Sequence, residues 1–99
     1  MKGYCTLVKS NGETHRGKEV SFIEWTSEEV GGQGRDFHDD PQIGYSCIID
    51  PQYGYSFTWI TTPITEIESD EIVENQRSIT FKTRKSLYKL DITLSDDEI

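Results

Sequence analysis

The chain has two cysteines in 99 residues, Cys5 and Cys47. They are too few and too far apart for a disulfide framework or a zinc knuckle, and a reducing compartment keeps such thiols free. Cys47 lies inside an alternating apolar stretch, where a small buried side chain is its expected role. No apolar run approaches the roughly 20 residues that span a bilayer. The opening Met1-Lys2-Gly3-Tyr4-Cys5 lacks the apolar stretch of a signal peptide. These absences predict a cytoplasmic protein (host cytoplasm if viral) with no membrane partner. Basic residues are scarce as well, 10 Lys and Arg against 18 Asp and Glu, for a net charge of −8. Binding to nucleic acid needs Lys and Arg to neutralise phosphates, so no direct nucleic-acid contact is expected.

What is present is β-structure. Only 33% of residues are hydrophobic, enough for one domain with a thin core that buries about 65% of the unfolded surface. Tyr4 to Lys9 and Thr14 to Trp25 read as a first hairpin around Asn11-Gly12, a pair suited to a type I′ turn. Ile43, Tyr45, Cys47 and Ile49 alternate with more polar positions. The turn residues Pro51-Gln52-Tyr53-Gly54 follow, and Tyr55, Phe57 and Trp59 alternate on the way back. Ile64 to Ser69 reads as a short strand and Asp70-Glu71 as a turn. Arg77 to Thr83 alternates through Ile79 and Phe81, and Tyr88, Leu90, Ile92 and Leu94 mark an amphipathic last strand. The expected fold is all-β, a small antiparallel barrel or curved sandwich of six to seven short strands. It forms a single β domain over residues 1–94, with a long mobile loop at 26–42 and an acidic tail at 95–99. So modest an apolar face also suits a homodimer that covers an edge strand.

Charge along the chain is segregated. From Glu24 to Glu74 there are twelve acids against Arg35 alone, whereas residues 75–89 hold five bases and no acid. Carboxylates spaced over a rigid sheet can imitate nucleic acid and occupy the Lys/Arg groove of a protein that handles it. Solubility is the plainer role of such a surface. The residues expected to contact a basic nucleic-acid-binding protein or complex are Asp36, Asp39, Asp40, Tyr53, Glu66, Glu68, Asp70 and Glu71. Tyr53, at a turn tip, adds contact area at low entropy cost.

The bases support an alternative, an oligomeric β-domain that sequesters an anionic small molecule such as a nucleotide signal. Arg77, Arg84 and Lys85 would hold phosphate and Tyr88 would stack a base. The simpler role of the basic strip is to block edge-to-edge aggregation. A third possibility is a metal-dependent hydrolase on Asp36, His38, Asp39 and Asp40. Its further ligands would have to come from Asp50, Glu66 or Glu68, and no His-Glu-x-x-His, Cys-x-x-Cys or EF-hand spacing is present. Gly31-Gly32-Gln33-Gly34 lacks the Lys-Ser/Thr of a phosphate loop, and neither cysteine has a motif-linked histidine. No catalytic residue, cofactor or metal is therefore expected, and the chain reads as a non-enzyme.

Thr58-Trp59-Ile60-Thr61-Thr62-Pro63-Ile64, followed by residues 79–90 with Thr83-x-x-Ser86-x-Tyr88-x-Leu90, resembles small, mostly uncharacterised β-domains of phages and bacteria. There such a strand pair closes the sheet. The resemblance covers about a third of the chain. It implies an all-β fold and a mobile-element origin, and carries no catalytic residue. By analogy, small acidic phage proteins of this size act as inhibitors of host defence, among them anti-CRISPR proteins and proteins that sequester nucleotide signals.

Overall fold

The computed structural model of the chain describes residues 2–27, 34–50 and 59–94. Among these, eight strands form one sheet and no helix occurs. They are β1 (Lys2–Lys9), β2 (Thr14–Ser27), β3 (Gly34–His38), β4 (Ser46–Ile49), β5 (Trp59–Ile60), β6 (Ile64–Val73), β7 (Gln76–Thr83) and β8 (Leu87–Leu94). The order is β5-β4-β2-β1-β8-β7-β6, with β3 beside β2, and every pairing is antiparallel. The expected antiparallel all-β domain is thus found, but its eight strands do not close into a barrel.

β2 is the backbone of the curvature. Its first half, Thr14 to Glu19, pairs with β1, while Phe22 pairs with β3 through His38 and with β4 through Cys47. Single alternation cannot serve both halves. His15 and Gly17 lie opposite the core residues Leu7 and Cys5, yet Val20 and Phe22 face the core farther along. The one-residue change of phase falls at Lys18 and Glu19, whose successive N–H groups both donate to Asp50 Oδ1, at 2.8 and 3.0 Å. The ladder with β1 is irregular at the same place: Lys2 to Cys5 on β1 spans one residue more than Glu19 to Gly17 on β2, a bulge carried by β1, which increases the local twist. Gly17 makes room for that carboxylate: a Cβ there would stand 2.7 Å from it and 2.6 Å from Ile49 Cγ2.

The curved sheet wraps one core. Cys5, Leu7, Val20, Phe22, Cys47, Ile49, Ile64, Ile79, Phe81, Tyr88, Leu90 and Ile92 form a buried cluster drawn from both halves. Cross-strand pairs such as Leu7–Leu90, Ile79–Leu90 and Phe81–Tyr88 build its layers. The far edge is clipped rather than zipped. Ile64, at the start of β6, donates to the Tyr45 carbonyl and accepts from Gly44, each at 2.8 Å, just before β4 begins.

Several local expectations are corrected. The β1–β2 connection is a four-residue loop, 10–13, in which Gly12 alone has positive φ (93°), so it is not a type I′ turn. The strand read from Ile43 begins at Ser46 instead, because Gln42 to Tyr45 is a turn closed by Tyr45 N–H to the Gln42 carbonyl, with Gly44 at φ 95°. The expected loop at 26–42 contains β3. Asp70-Glu71 is not a turn: β6 runs on to Val73 and the chain reverses at Glu74-Asn75, with Glu74 at φ 57°. The turn tip around Tyr53 and the tail at 95–99 lie outside the described residues.

Candidate functional site

Arg77 organises the acidic part of the molecule. Position 77 belongs to the inward phase of β7 with Ile79, Phe81 and Thr83, and all four are buried. A guanidinium placed there must be paired, since an isolated buried charge is very costly. Asp70 on β6 supplies a two-point grip, Arg77 Nε to Oδ1 at 2.8 Å and Nη2 to Oδ2 at 2.7 Å. Asp40 adds a contact at 3.0 Å, and Arg77 Nη1 donates to the Asp39 carbonyl at 3.3 Å. The hydrogen bonds to Asp70 lead the effects that raise the Arg77 pKa and keep it charged.

The consequence is spatial. Arg77 brings Asp40 and Asp70, about thirty positions apart in sequence, together on the inner side of β6, whereas Glu66 and Glu71, in register with Lys82 and Ser78, lie on its outer side. Of the residues expected to bind a basic partner, Asp40 and Asp70 meet on Arg77 Nη2, and Asp36, Asp39 and Glu71 lie on the same two segments. Glu66 and Glu68 lie farther along β6, where they flank Lys82 at 3.4 and 3.2 Å. That pairing, with Glu68 first, raises the Lys82 pKa. Over β3, the turn after it and the β6–β7 hairpin, the eight acids Asp36, Asp39, Asp40, Glu66, Glu68, Asp70, Glu71 and Glu74 stand against three bases, Arg35, Arg77 and Lys82. This part of the molecule stays negative.

Other acids serve the fold. Asp50 accepts from the successive Lys18 and Glu19 amides of β2, and Asp91 accepts from Ser78 Oγ at 2.8 Å. Glu24 belongs to a group that the sequence did not single out. His38 Nε2 lies 2.8 Å from Glu24 Oε1, and Tyr45 O–H donates to the same oxygen at 3.4 Å. The His38 and Tyr45 rings stack with centroids 5.0 Å apart. Desolvation and the neighbouring Glu24 carboxylate push the Tyr45 pKa up. The cue in the sequence is the inward phase that Glu24 shares with Phe22, which calls for a polar partner across the ladder.

The four residues of the alternative ligand site do not converge. Tyr88 is buried against Phe81, rings 5.4 Å apart, because it occupies an inward position of β8, so it presents no face to a base. Arg77 is taken up by Asp70 and Asp40. Arg84 and Lys85 are exposed in the β7–β8 turn, at the opposite end of β7 from Arg77. Among the described residues, no group of three or more His, Cys, Asp or Glu is arranged to hold a metal ion, and the His38 ring is directed at Glu24 instead. Both thiols are buried. Burial first, and Asp50 second, raise Cys5 to about 11, and burial pushes Cys47 up as well.

No family model, curated protein or solved structure matches this chain. No helix among the described residues is long and apolar enough to cross a membrane.

Beside the acids lies exposed apolar surface. Ile72 and Val73, at the end of β6, are 61% and 69% exposed. They adjoin Glu71 and Glu74 in sequence and stand across the ladder from Arg77 and Gln76. Carboxylates bordering uncovered aliphatic groups can attract a basic surface by charge and hold it by contact.

Proposed function

We propose that this chain is a non-enzymatic binding protein, an inhibitor of the phage type, that uses its acidic face to block a basic protein or complex that handles nucleic acid. The observation that carries the reading is the Arg77 clasp on Asp70 and Asp40, which holds the acidic segments 36–40 and 66–71 side by side at the β6 edge of the sheet. Fixed carboxylates attract a Lys/Arg groove without first being ordered, which favours fast association and specific register. Solubility alone calls for dispersed charge. It gives no reason for Ile72 and Val73 to stay uncovered beside it.

The test is affinity capture from bacterial lysate with the chain and with a variant carrying Asp36→Asn, Glu66→Gln, Glu68→Gln, Glu71→Gln and Glu74→Gln. Asp40 and Asp70 are left intact so that Arg77 keeps its partners. A nucleic-acid-binding complex retained at roughly 0.1 M salt, released at about 0.5 M and absent with the variant is the expected result, since surface charge is screened over about 8–10 Å at the lower salt. Equal capture by both proteins would sink the reading.

A further inference from the structure

The edge of β6 has a regular section that the rest of the strand lacks. Register shifts interrupt its ladder between Ile64 and Glu66 and between Ile67 and Ser69, but Ser69 to Val73 pairs without interruption with Thr80 to Gln76. Beyond it the chain turns at Glu74. β6 is the last strand of the sheet, and among the described residues its outer edge is hydrogen-bonded only at Ile64. All five residues from Ser69 to Val73 are exposed. In a strand with one neighbour, alternate residues direct N–H and C=O groups away from the sheet, and an extended chain can pair with them.

Charge selects what can pair there. An antiparallel pairing of this section with a second copy, centred on Glu71, would set that carboxylate against its own copy on one face and add two Asp70 carboxylates on the other. Like charges directly opposite are destabilising. An extended segment with Lys or Arg at alternate positions would instead meet Glu71 on the outer face or Asp70 and Asp40 on the inner one. Its apolar residues would cover Ile72 or Val73.

We propose that the edge of β6 over Ser69–Val73 accepts an extended, alternating basic and apolar segment of the partner by strand addition. This rests on the acidic-face reading above and adds the mode of engagement.

The test uses the full chain and a capped hexapeptide of alternating Lys and Val, with a second hexapeptide methylated on every backbone nitrogen. Both carry the same charge, but the second cannot donate ladder hydrogen bonds. The expected result is that the first peptide slows amide hydrogen exchange within 69–73 by about tenfold or more at saturation while the methylated one binds at least about tenfold more weakly. Glu71→Lys, at an exposed position, should abolish the protection. Equal binding of both peptides without protection at 69–73 overturns strand addition and leaves charge-driven docking standing. Binding of neither overturns strand addition too, and the capture experiment with the neutralised acids then decides the acidic face independently.

Discussion

Arg77 grips Asp70 with two parallel hydrogen bonds, 2.8 and 2.7 Å long, between adjacent antiparallel strands. The pair is asymmetric in burial. The Arg77 side chain is 7% exposed and that of Asp70 29%, whereas the third member, Asp40, is 80% exposed. Its cost of disruption should follow the same order.

Asp70→Asn should therefore destabilise the fold by about 2–3 kcal/mol, since it leaves a buried guanidinium short of its main counter-charge. Asp40→Asn should change stability by less than about 0.5 kcal/mol, as solvent screens an exposed pair. Urea unfolding of the two variants checks this. Equal losses would mean that Asp40 anchors the turn after β3 as firmly as Asp70 anchors β6.

How far the sequence disclosed these features depends on whether a residue obeys its strand's phase. Ile79, Phe81, Tyr88, Leu90 and Ile92 alternate cleanly, so β7 and β8 were legible. The full length of β6 is not legible because Asp70-Glu71 reads as turn chemistry. An edge strand tolerates acids on both phases, since its free side is solvated. β3 was hidden by neighbouring glycines and by its charge, for it is held by backbone pairing to β2 rather than by an apolar pattern. Nearness in sequence groups Arg77 with the other bases, whereas its phase with Ile79 and Phe81 points it inward, where a guanidinium needs counter-charges. Nothing local revealed that Asp50 serves Lys18 and Glu19, because that contact joins positions more than thirty residues apart.

The change of phase in β2 gives a second test. Asp50→Ala removes the acceptor of two amides and should cost about 1–3 kcal/mol, whereas Asp50→Asn retains a carbonyl oxygen and should lose less. Gly17→Ala should cost about 1–3 kcal/mol through overpacking against Ile49 and Asp50. Because Gly17 and Asp50 share one space, Gly17→Ala combined with Asp50→Ala should lose less than the sum of the two single losses. Denaturant midpoints of the single and double variants decide it, and strict additivity would mean that the glycine serves some other contact.

The thiols set an alkaline limit. Cys5 holds its proton to about 11 in the folded chain, while an unfolded thiol releases it near 8.5. Between those values the folded state binds more protons than the unfolded state, so stability falls as pH rises and is unaffected below that window. Cys5→Ala should flatten the decline between about pH 8.5 and 11, measured by urea midpoints against the parent chain. The same burial predicts slow alkylation of both thiols at pH 8 in the folded protein and rapid alkylation in denaturant. Fast labelling of the native protein would contradict it.

His15 stacks on Trp59 with ring centroids 4.0 Å apart and planes inclined by 11°, while its Nε2 lies 3.2 Å from Glu13 Oε2. Trp59 belongs to β5, a strand of two residues that ends the sheet, and its buried indole N–H has no hydrogen-bond partner among the described residues. Face-to-face contact with His15 adds a side-chain restraint to the β4–β5 ladder and the Cys47–Thr61 hydrogen bonds that hold that edge. In a Trp25→Phe background, where Trp59 is the sole reporter, His15→Ala should lose about 0.5–1.5 kcal/mol and shift the emission to the red as water reaches the indole. His15→Phe keeps a ring over Trp59 and gives up only the contact with Glu13, so it should preserve both stability and emission. If the phenylalanine variant behaved like the alanine one, the link to Glu13 and not the stacked ring would hold the β5 edge in place.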